Sequence, residues 1–557
     1  MASRNTKRTV RGIVLHTILI SGSVLFSLPF LWLFSTSFKS PDEMYPPKWI
    51  PQVPEGVVES PYIAIRSNRR VQRPTSTSVE DWQRSRPAVM SALKERLMAR
   101  SEELPELYRP YLDRPELSEA VFYRLIGRAP DDLFEKTPDF VAAWFVERVD
   151  DTTILDSFES VYRRLAVADV TIHGWDGLEV DRPTQGDAYP WESASPNAQL
   201  VRRDEGLYRP AIEVRYSFRE KRDFTLSIEV PTQMDADSLK KVTVSIHGDR
   251  SWHEVDAAIE LDGRRWESTR SAFIGSDTWQ DTTWQVPSAE DDALRIRNWE
   301  PLALSDAPAD VAPGMMRVNL RFRYAPRVAA TVNKFSNPYR QVFNMVPLWT
   351  YVYNSVLLVA LNITGQVLGS SLVAFAFARL RWPGRDFCFV MVLATLMIPP
   401  QVTMIPVFLI FRQVGWYNTL QPLWVPSFAG AAFFIFLLRQ FMRGIPADLE
   451  DSAKIDGCGY AGIYARIILP LVRPALATIG IFTFMNVWND FMGPLIYLSD
   501  QELYPLSLGL FALQTFQASN FALMMAASVL MTLPVIALFF LAQRQFIQGI
   551  ALTGMKG

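Results

Sequence analysis

In this 557-residue chain, the residues best placed to do chemistry are carboxylates and glycines in a polar stretch between two apolar runs. The chemistry they suit is docking rather than catalysis. Within Gly444–Gly457, Pro446 is suited to opening a helix, because its missing N–H is unneeded there. Glu450 and Asp451 fall in the early turns, where carboxylates complement the positive end of a helix. Asp456-Gly457 then breaks the helix, since glycine accepts a left-handed turn. A second helical run, Tyr460 to Ile468, is expected to stop at Leu469-Pro470. Two short helices set at an angle make a knob that fits a cleft in another protein.

A second group of polar residues interrupts otherwise uncharged runs: Asn354, Gln366, Asn486 and Asn489, with Asp490 near one end. Polar groups in hydrocarbon are costly and face a cavity or a partner, which makes these residues translocation-path candidates. Hydrogen bonding between helices is the equally open alternative. Pro399, Pro400 and Pro406 share one apolar run and imply a kinked or broken helix. The four histidines form no ligand cluster, and His247 and His253 read as ordinary strand or loop residues. No metal site and no nucleophile–base spacing stands out, so no catalytic residue is assigned.

Two unlike materials carry these groups. Net charge is −2, but Pro51 to about Arg340 is rich in Arg, Asp, Glu and Pro, while the flanks hold long uncharged stretches. Basic and acidic residues are interleaved, which argues against a nucleic-acid partner. Both cysteines, Cys388 and Cys458, lie in or beside the apolar part, so disulfides do not hold the polar segment. Ile13–Phe38 follows Arg4, Lys7, Arg8 and Arg11 and is long enough to cross a bilayer, which takes about 20 helical residues. Further runs are Thr350–Ala378, Cys388–Phe411, Leu423–Leu438, Pro474–Asn489 and Phe521–Gln543. Their basic loops predict six spans with both termini inside, and the Gly444–Pro470 loop on that same side.

The polar segment divides in two. From Ser85 to about Ala168 the spacing is helical: Val89, Leu93 and Leu97, then Thr137-Pro138 as a helix start before Phe140, Trp144 and Phe145. A further helix is expected through Phe158, Val161, Tyr162 and Leu165. Asp181–Gln199 reads as a linker. From about Tyr208 to Tyr324 the period becomes two, as in Phe224, Leu226, Ile228 and Val230, in Val242, Val244 and Ile246, and in Val318, Leu320 and Phe322. Asp262-Gly263 is a hairpin turn, and the strands suggest a β-sandwich. Trp252, Trp266, Trp279, Trp284 and Trp299 suit its core better than a sugar-stacking surface.

The loop resembles the cytoplasmic coupling loop, or EAA motif, of importer-type ABC transporter permeases. Asp451-Ser452-Ala453 stands where that pattern has Glu-Ala-Ala, and Gly457, Ile467, Leu469 and Pro470 fall at its later positions. Other segments resemble the carbohydrate-uptake branch and its smaller maltose permease: Asn354-Ser355, Met397-Ile398-Pro399-Pro400, Phe436–Phe441, Trp488-Asn489-Asp490-Phe491 and the Gly554-Met555-Lys556-Gly557 tail. The resemblance covers residues 1–51 and about 335–557. It implies an all-α, type I importer permease of six transmembrane helices in a bacterial cytoplasmic membrane, carrying an inserted soluble α+β region.

The expected division is 1–51 as N-terminus and first span, 52–205 as a mainly helical and 206–335 as a mainly β extracytoplasmic insert, and 336–557 as the permease core with a coupling loop at 443–470. Its implied partners are a second permease, an ABC ATPase dimer that binds Mg-ATP, and an extracytoplasmic solute-binding protein. The chain itself would hold no cofactor. The coupling set is Glu450, Asp451, Ser452, Ala453, Asp456, Gly457, Ile467, Leu469 and Pro470. Other solutes, such as a phosphorylated polyol, remain open, as does a membrane-anchored glycan-binding or sensing protein acting through the insert.

Overall fold

The computed structural model describes all residues except 1, 45–47, 65–72, 75–76, 105, 107, 183–190, 204–210, 289–296, 517–519 and 555–557. Pro46-Pro47 and the Met555–Gly557 tail therefore lie outside the described residues. The chain forms two compact units. One holds Met1–Phe38, Glu290–Arg297 and Asn337–Gly557; the other holds Lys39–Ala289 and Asn298–Ser336. The first unit begins with helix α1, Ala2–Thr36.

After two short strands, Glu59–Ser60 and Tyr62–Ile63, the second unit forms four helices, α2 (Val79–Ala99), α3 (Pro115–Ile126), α4 (Pro138–Glu147) and α5 (Asp151–Val161). Val89, Leu93 and Leu97 are fully buried, packed in one cluster with Phe122, Phe134, Phe145 and Phe158. Ser78 and Asp150 cap α2 and α5 by accepting the N–H of Asp81 and Thr153. Phe140, on the outer side of α4, is exposed.

A 14-stranded sheet follows. Its longer strands are β1 (Leu165–Gly174), β2 (Ala211–Ser217), β3 (Asp223–Pro231), β4 (Leu239–His247), β5 (Glu254–Leu261), β6 (Arg264–Ser268), β7 (Trp279–Gln285), β8 (Glu300–Ser305) and β9 (Met315–Arg323). Their order is β2-β1-β4-β7-β8-β6-β5-β9-β3. All pairs along this path are antiparallel except β7–β8, which is parallel. One apolar core draws Val170 and Val244 from one half of that path and Ile259, Val318 and Leu226 from the other. The sheet therefore closes over its own inner face, and β8 carries it from one layer to the next. Asp262 and Gly263 both have positive φ, 48° and 73°, as a two-residue type I′ hairpin requires. Trp266 and Trp284 lie in the core and are closed to solvent.

Strand structure starts earlier than the sequence suggests. Tyr162 and Leu165 belong to strands rather than to the helix that ends at Val161, so the mainly helical part does not extend to residue 205. Leu165–Ala168 is buried on both faces, and a strand buried on both sides loses the alternation that would reveal it. Strands Glu179–Arg182, Glu192–Ser193 and Ala198–Arg203 likewise occupy parts of the expected linker.

Burial makes this unit sensitive to acid. His253 is buried, its Nδ1 accepting the Ala325 N–H at 3.1 Å, between the rings of Tyr216, Phe218 and Tyr324. Burial pushes its pKa below the ordinary imidazole value, against the opposing pull of the Asp249 charge. Burial also lowers His247, with Asp277 opposing and Arg164 assisting. The unfolded chain takes up these protons near pH ~6.5 and the folded chain does not. The stabilisation is thus complete above that pH and is lost as pH falls below it, by up to about 1.4 kcal/mol per pH unit for each proton. The unfolding temperature of this unit, followed in the full chain, is expected to fall between pH 7.5 and 5 and to fall less steeply in His253→Gln. An identical slope in that variant excludes His253 as a source.

In the first unit, α6 (Arg327–Met345), which starts in the other unit, leads into α7 (Leu348–Arg379). Then come α8 (Arg385–Ala394), α9 (Pro400–Gln413), α10 (Ala432–Arg443), α11 (Asp448–Ile455), α12 (Tyr460–Leu471), α13 (Arg473–Asn489), α14 (Leu506–Phe516) and α15 (Phe521–Gly554). Among the described residues, four helices are long and apolar enough to cross a membrane: Val14–Thr36, Leu348–Arg379, Gln421–Arg443 and Phe521–Gln543. The count reaches six if two bent pairs each make one span. Arg385–Met397 meets Pro400–Gln413 at 102°, and Tyr460–Leu471 meets Arg473–Asn489 at 75°. The first break falls at Ile398-Pro399, since a residue before proline is pushed to extended backbone.

Two apolar clusters organise this unit, and α7 enters both. Tyr351 and Val359 pack with Trp488, Leu510, Leu513 and Leu523. Further along, Ala374, Phe375 and Phe377 pack with Leu438, Met442, Ile463, Ile468 and Ile479. Gly365 and Gly369 let α7 meet the segment before α10, where an added Cβ at 369 would lie 2.3 Å from the Phe428 carbonyl oxygen.

Candidate functional site

The loop between α10 and α13 is built from its ends inward. Pro446 lies before α11 rather than in its first turn, and Ala447 is the N-cap, its carbonyl accepting from Glu450 and Asp451 at 2.9 and 3.0 Å. Asp448, Glu450 and Asp451 occupy the first turn, where the helix dipole favours them. Asp456 caps the other end and Gly457 follows with φ of +80°. The Cys458 N–H bonds the Ala453 carbonyl at 2.8 Å, and the Gly457 N–H bonds Lys454 at 3.0 Å. Those two bonds are the Schellman pattern, which closes a helix around a left-handed residue.

The second helix departs from the sequence expectation. It does not stop at Leu469-Pro470 but runs on to Leu471 and bends at Val472. Tyr464–Ile468 is wound as π-helix. That wider turn accommodates a proline that could not have donated within an ordinary α-helical ladder. Ile468 and Ile463 are buried against α7 and α10, whereas Ile467, Leu469 and Pro470 are half-buried. The Tyr464 hydroxyl lies 2.7 Å from the Ser371 hydroxyl on α7.

The carboxylates divide by burial. Glu450 is 6% exposed, and its Oε1 lies 2.8 Å from Arg379 Nε in an ion pair that is close but not aligned as a hydrogen bond. The same guanidinium donates to the Met442 carbonyl, and to that of Ile445 at 2.7 Å. Arg379 therefore ties the end of α7, the end of α10 and the first turn of α11 into one latch. Asp451, in contrast, is exposed and paired with Lys454 at 2.9 Å. Ser452 is exposed and donates to the Asp448 carbonyl at 2.8 Å, Ala453 is half-buried, and Asp456 and Gly457 are exposed. Three apolar side chains stand out from this polar knob: Leu449, Tyr460 and Ile455, the last 87% exposed. The sequence signal for them was an apolar residue on the otherwise charged face of a short helix.

The polar residues of the spans divide as well. Asn354 is buried, its Nδ2 donating to the carbonyls of Glu502 at 2.7 Å and Tyr504 at 3.1 Å. Gln366 Oε1 accepts from the Ala431 N–H at 3.0 Å and from the Ser370 hydroxyl at 3.3 Å. Both residues join segments of the unit. Asn362, which sequence reasoning missed, does the same: its Nδ2 bonds the Leu423 carbonyl at 3.0 Å and its Oδ1 accepts from Ser427. Asn486 and Asn489 instead share an exposed face of α13 with Phe482 and Met485, at helical spacing. Asp490 is exposed just beyond, its Oδ1 accepting the Gly493 N–H at 3.1 Å. Among the described residues no group of three or more His, Cys, Asp or Glu is arranged to hold a metal ion.

Residues 366–551 match the family described as the binding-protein-dependent transport system inner membrane component. The arabinooligosaccharides transport system permease protein AraQ of Halalkalibacterium halodurans is 37% identical over 209 residues, which are 38% of this chain and 75% of that relative. The chain belongs to this family of inner membrane transport components. Its matched region holds the loop, α8–α14, the C-terminal part of α7 and most of α15. The diacetylchitobiose uptake system permease protein DasC of Streptomyces coelicolor is similar at 33% identity over 210 residues, 38% of this chain and 76% of the relative. Among solved structures, a bacterial ABC transporter involved in the import of the acidic polysaccharide alginate matches at 25% identity and a TM-score of 0.34, over 38% of this chain and 79% of that one. Members of the family are transport permeases, not enzymes, and this chain is accordingly an integral inner-membrane permease.

Proposed function

We propose that this permease serves an ATP-driven importer of a sugar or oligosaccharide, alternating between outward-open and inward-open packings. The relatives' carbohydrate cargoes support the substrate class. In this reading a separate ATPase dimer hydrolyses ATP, a second permease completes the membrane pathway, and a solute-binding protein delivers the cargo. Both termini and the 443–470 loop lie in the cytoplasm, and residues 52–335 form an extracytoplasmic insert. Asn486, Asn489 and Asp490 are the path candidates that keep an open face, while Asn354 and Gln366 act as packing bonds.

One observation carries the reading. The knob exposes Leu449, Ile455 and Tyr460 while its base is latched to α7 through Arg379 and Glu450. An exposed apolar anchor on a rigid support suits insertion into a partner's cleft, and the latch passes movement of the knob to α7. The state in which the ATPases close binds this knob differently from the open state, and that difference shifts the permease equilibrium. Ile455→Asp is expected to weaken ATPase association by about 2 kcal/mol or more, ~30-fold. Copurification and solute-stimulated hydrolysis should both be lost while the chain still inserts. Undiminished association in that variant overturns the docking assignment.

A further inference from the structure

Within the insert's own unit, the two segments that connect it to the membrane helices meet at a buried charge pair. Glu43 and Lys334 are both almost wholly buried and lie 2.7 Å apart. The Glu43 carboxylate also accepts the N–H of Ser40 at 3.1 Å and of Gln52 at 2.8 Å. Lys334 donates in addition to the Gln52 carbonyl at 2.7 Å. Beside the pair opens a cavity of about 390 Å³, lined among others by Glu43, Gln52, Glu55, Tyr62, Arg250 and Trp252. That volume falls in the range of small-molecule sites, about 300–1,000 Å³.

The backbone around this cavity holds conformations that its residues do not favour. Arg250 has φ of +65° and Trp252 of +58°, on either side of the fully buried Ser251. A bulky residue in the left-handed region is an outlier, and both of these line the same cavity. Gly275 faces Trp252 so closely that an added Cβ would lie 2.6 Å from the indole ring. Neighbouring backbone and the buried Asp249 hold the turn: the Ser251 N–H bonds Asp249 Oδ1 at 3.1 Å, and the Tyr62 hydroxyl bonds the Asp249 carbonyl at 2.7 Å. Strain sustained in this way gathers at ligand sites, where it presents a side chain that relaxed backbone would turn away.

The lining sets the chemistry that a ligand must match. The exposed Ile50 and Val53 and the half-buried Tyr62 ring give apolar surface, to which the largely buried Trp252 adds little; Glu55, Gln52 and Arg250 give carboxylate, amide and guanidinium groups. Apolar faces with directional polar edges match a pyranose or furanose ring, whose C–H faces and hydroxyls have the same division. An anionic ligand is disfavoured, because the cations lining the cavity, Arg250 and Lys334, already face the carboxylates of Asp277 and Glu43, and the Glu55 carboxylate lines the same cavity.

We propose that this cavity is a saccharide subsite of the insert, one that holds a neutral sugar ring. The sugar class rests on the importer reading above; the position and chemistry of the subsite do not. The full chain in lipid nanodiscs, without a solute-binding protein, is titrated calorimetrically with arabinotriose, diacetylchitobiose and lactose. At least one probe is expected to bind with a Kd of about 1 mM or tighter. Arg250→Gly removes the guanidinium and relaxes the backbone, while Asp277 keeps its pair with Arg163 at 3.1 Å, so binding should weaken at least 10-fold with the insert still folded. Glu55→Gln should weaken binding with no change in unfolding temperature.

Equal binding by Arg250→Gly and the native chain overturns the subsite. So does import of one probe by the assembled transporter when none binds the nanodisc-held chain; the importer reading then stands. Binding abolished by Arg250→Gly, without import of any probe, supports the subsite and removes the importer reading. If Arg250→Gly abolishes only receptor-stimulated ATP hydrolysis and no saccharide binds, the cavity is a protein contact and the proposal is wrong.

Discussion

Valine at position 457 is expected to leave the permease inserted and assembled but to lower solute uptake at least ~10-fold, with hydrolysis no longer responsive to solute. Gly457 closes α11 at φ +80°, where a residue bearing a Cβ pays about 1–2 kcal/mol and a β-branched one more. The cost is conformational, because a Cβ built at 457 meets no atom within 4 Å. The chain's easiest relief is to unwind the Schellman turn, releasing the Ala453 and Lys454 carbonyls from Cys458 and Gly457. That relief changes the angle between α11 and α12, and with it the direction in which Ile455 points. Asparagine tolerates left-handed backbone better than other residues with side chains. Gly457→Asn should therefore keep most of the uptake that Gly457→Val loses, and alanine should fall between. Proteoliposome uptake and ATPase assays on the three variants check this order. Native uptake by the valine variant shows that the turn does not set the coupling geometry.

What the sequence made legible follows from where signals are local. The α11 stop at Asp456-Gly457 and the Asp262-Gly263 hairpin were readable because each depends on backbone preferences of two adjacent residues. Val89, Leu93 and Leu97 were readable because a helix with one solvated side keeps its period. Leu165–Ala168 was not, because burial on both faces erases alternation. The Leu469-Pro470 stop was misplaced for a different reason: the π-wound turn ahead of the proline depends on packing of Ile463 and Ile468 against α7 and α10. The pairing of Arg379 was not legible. The residue reads as one of several basic residues in a cytoplasmic turn, and its partner Glu450 lies far along the chain. The same distance hid the role of Asn354, which looks like a path residue until the carbonyls of Glu502 and Tyr504 are seen against it.

Loss of the Arg379 guanidinium is expected to have the largest effect on stability of any single change in the membrane unit. Arg379→Ala leaves Glu450 buried without its counter-charge, for which about 3–5 kcal/mol is usual. The substitution also frees the carbonyls of Met442 and Ile445, at and just beyond the end of α10, which the same group serves. Lysine restores the charge but not the fork that reaches three oxygens on two segments, so Arg379→Lys should recover only part of the loss. Glu450→Gln keeps an acceptor and removes the charge, and should cost less than Arg379→Ala. The pair Arg379→Met with Glu450→Leu separates the two contributions. Burying two apolar side chains is often neutral compared with an ion pair, so any deficit that remains belongs to the two carbonyls. Thermal unfolding of the detergent-solubilised complex gives the stabilities, and uptake gives the coupling. A double variant that regains native stability but not uptake shows that the latch transmits motion as well as holding the fold. One that regains both removes the latch from the mechanism.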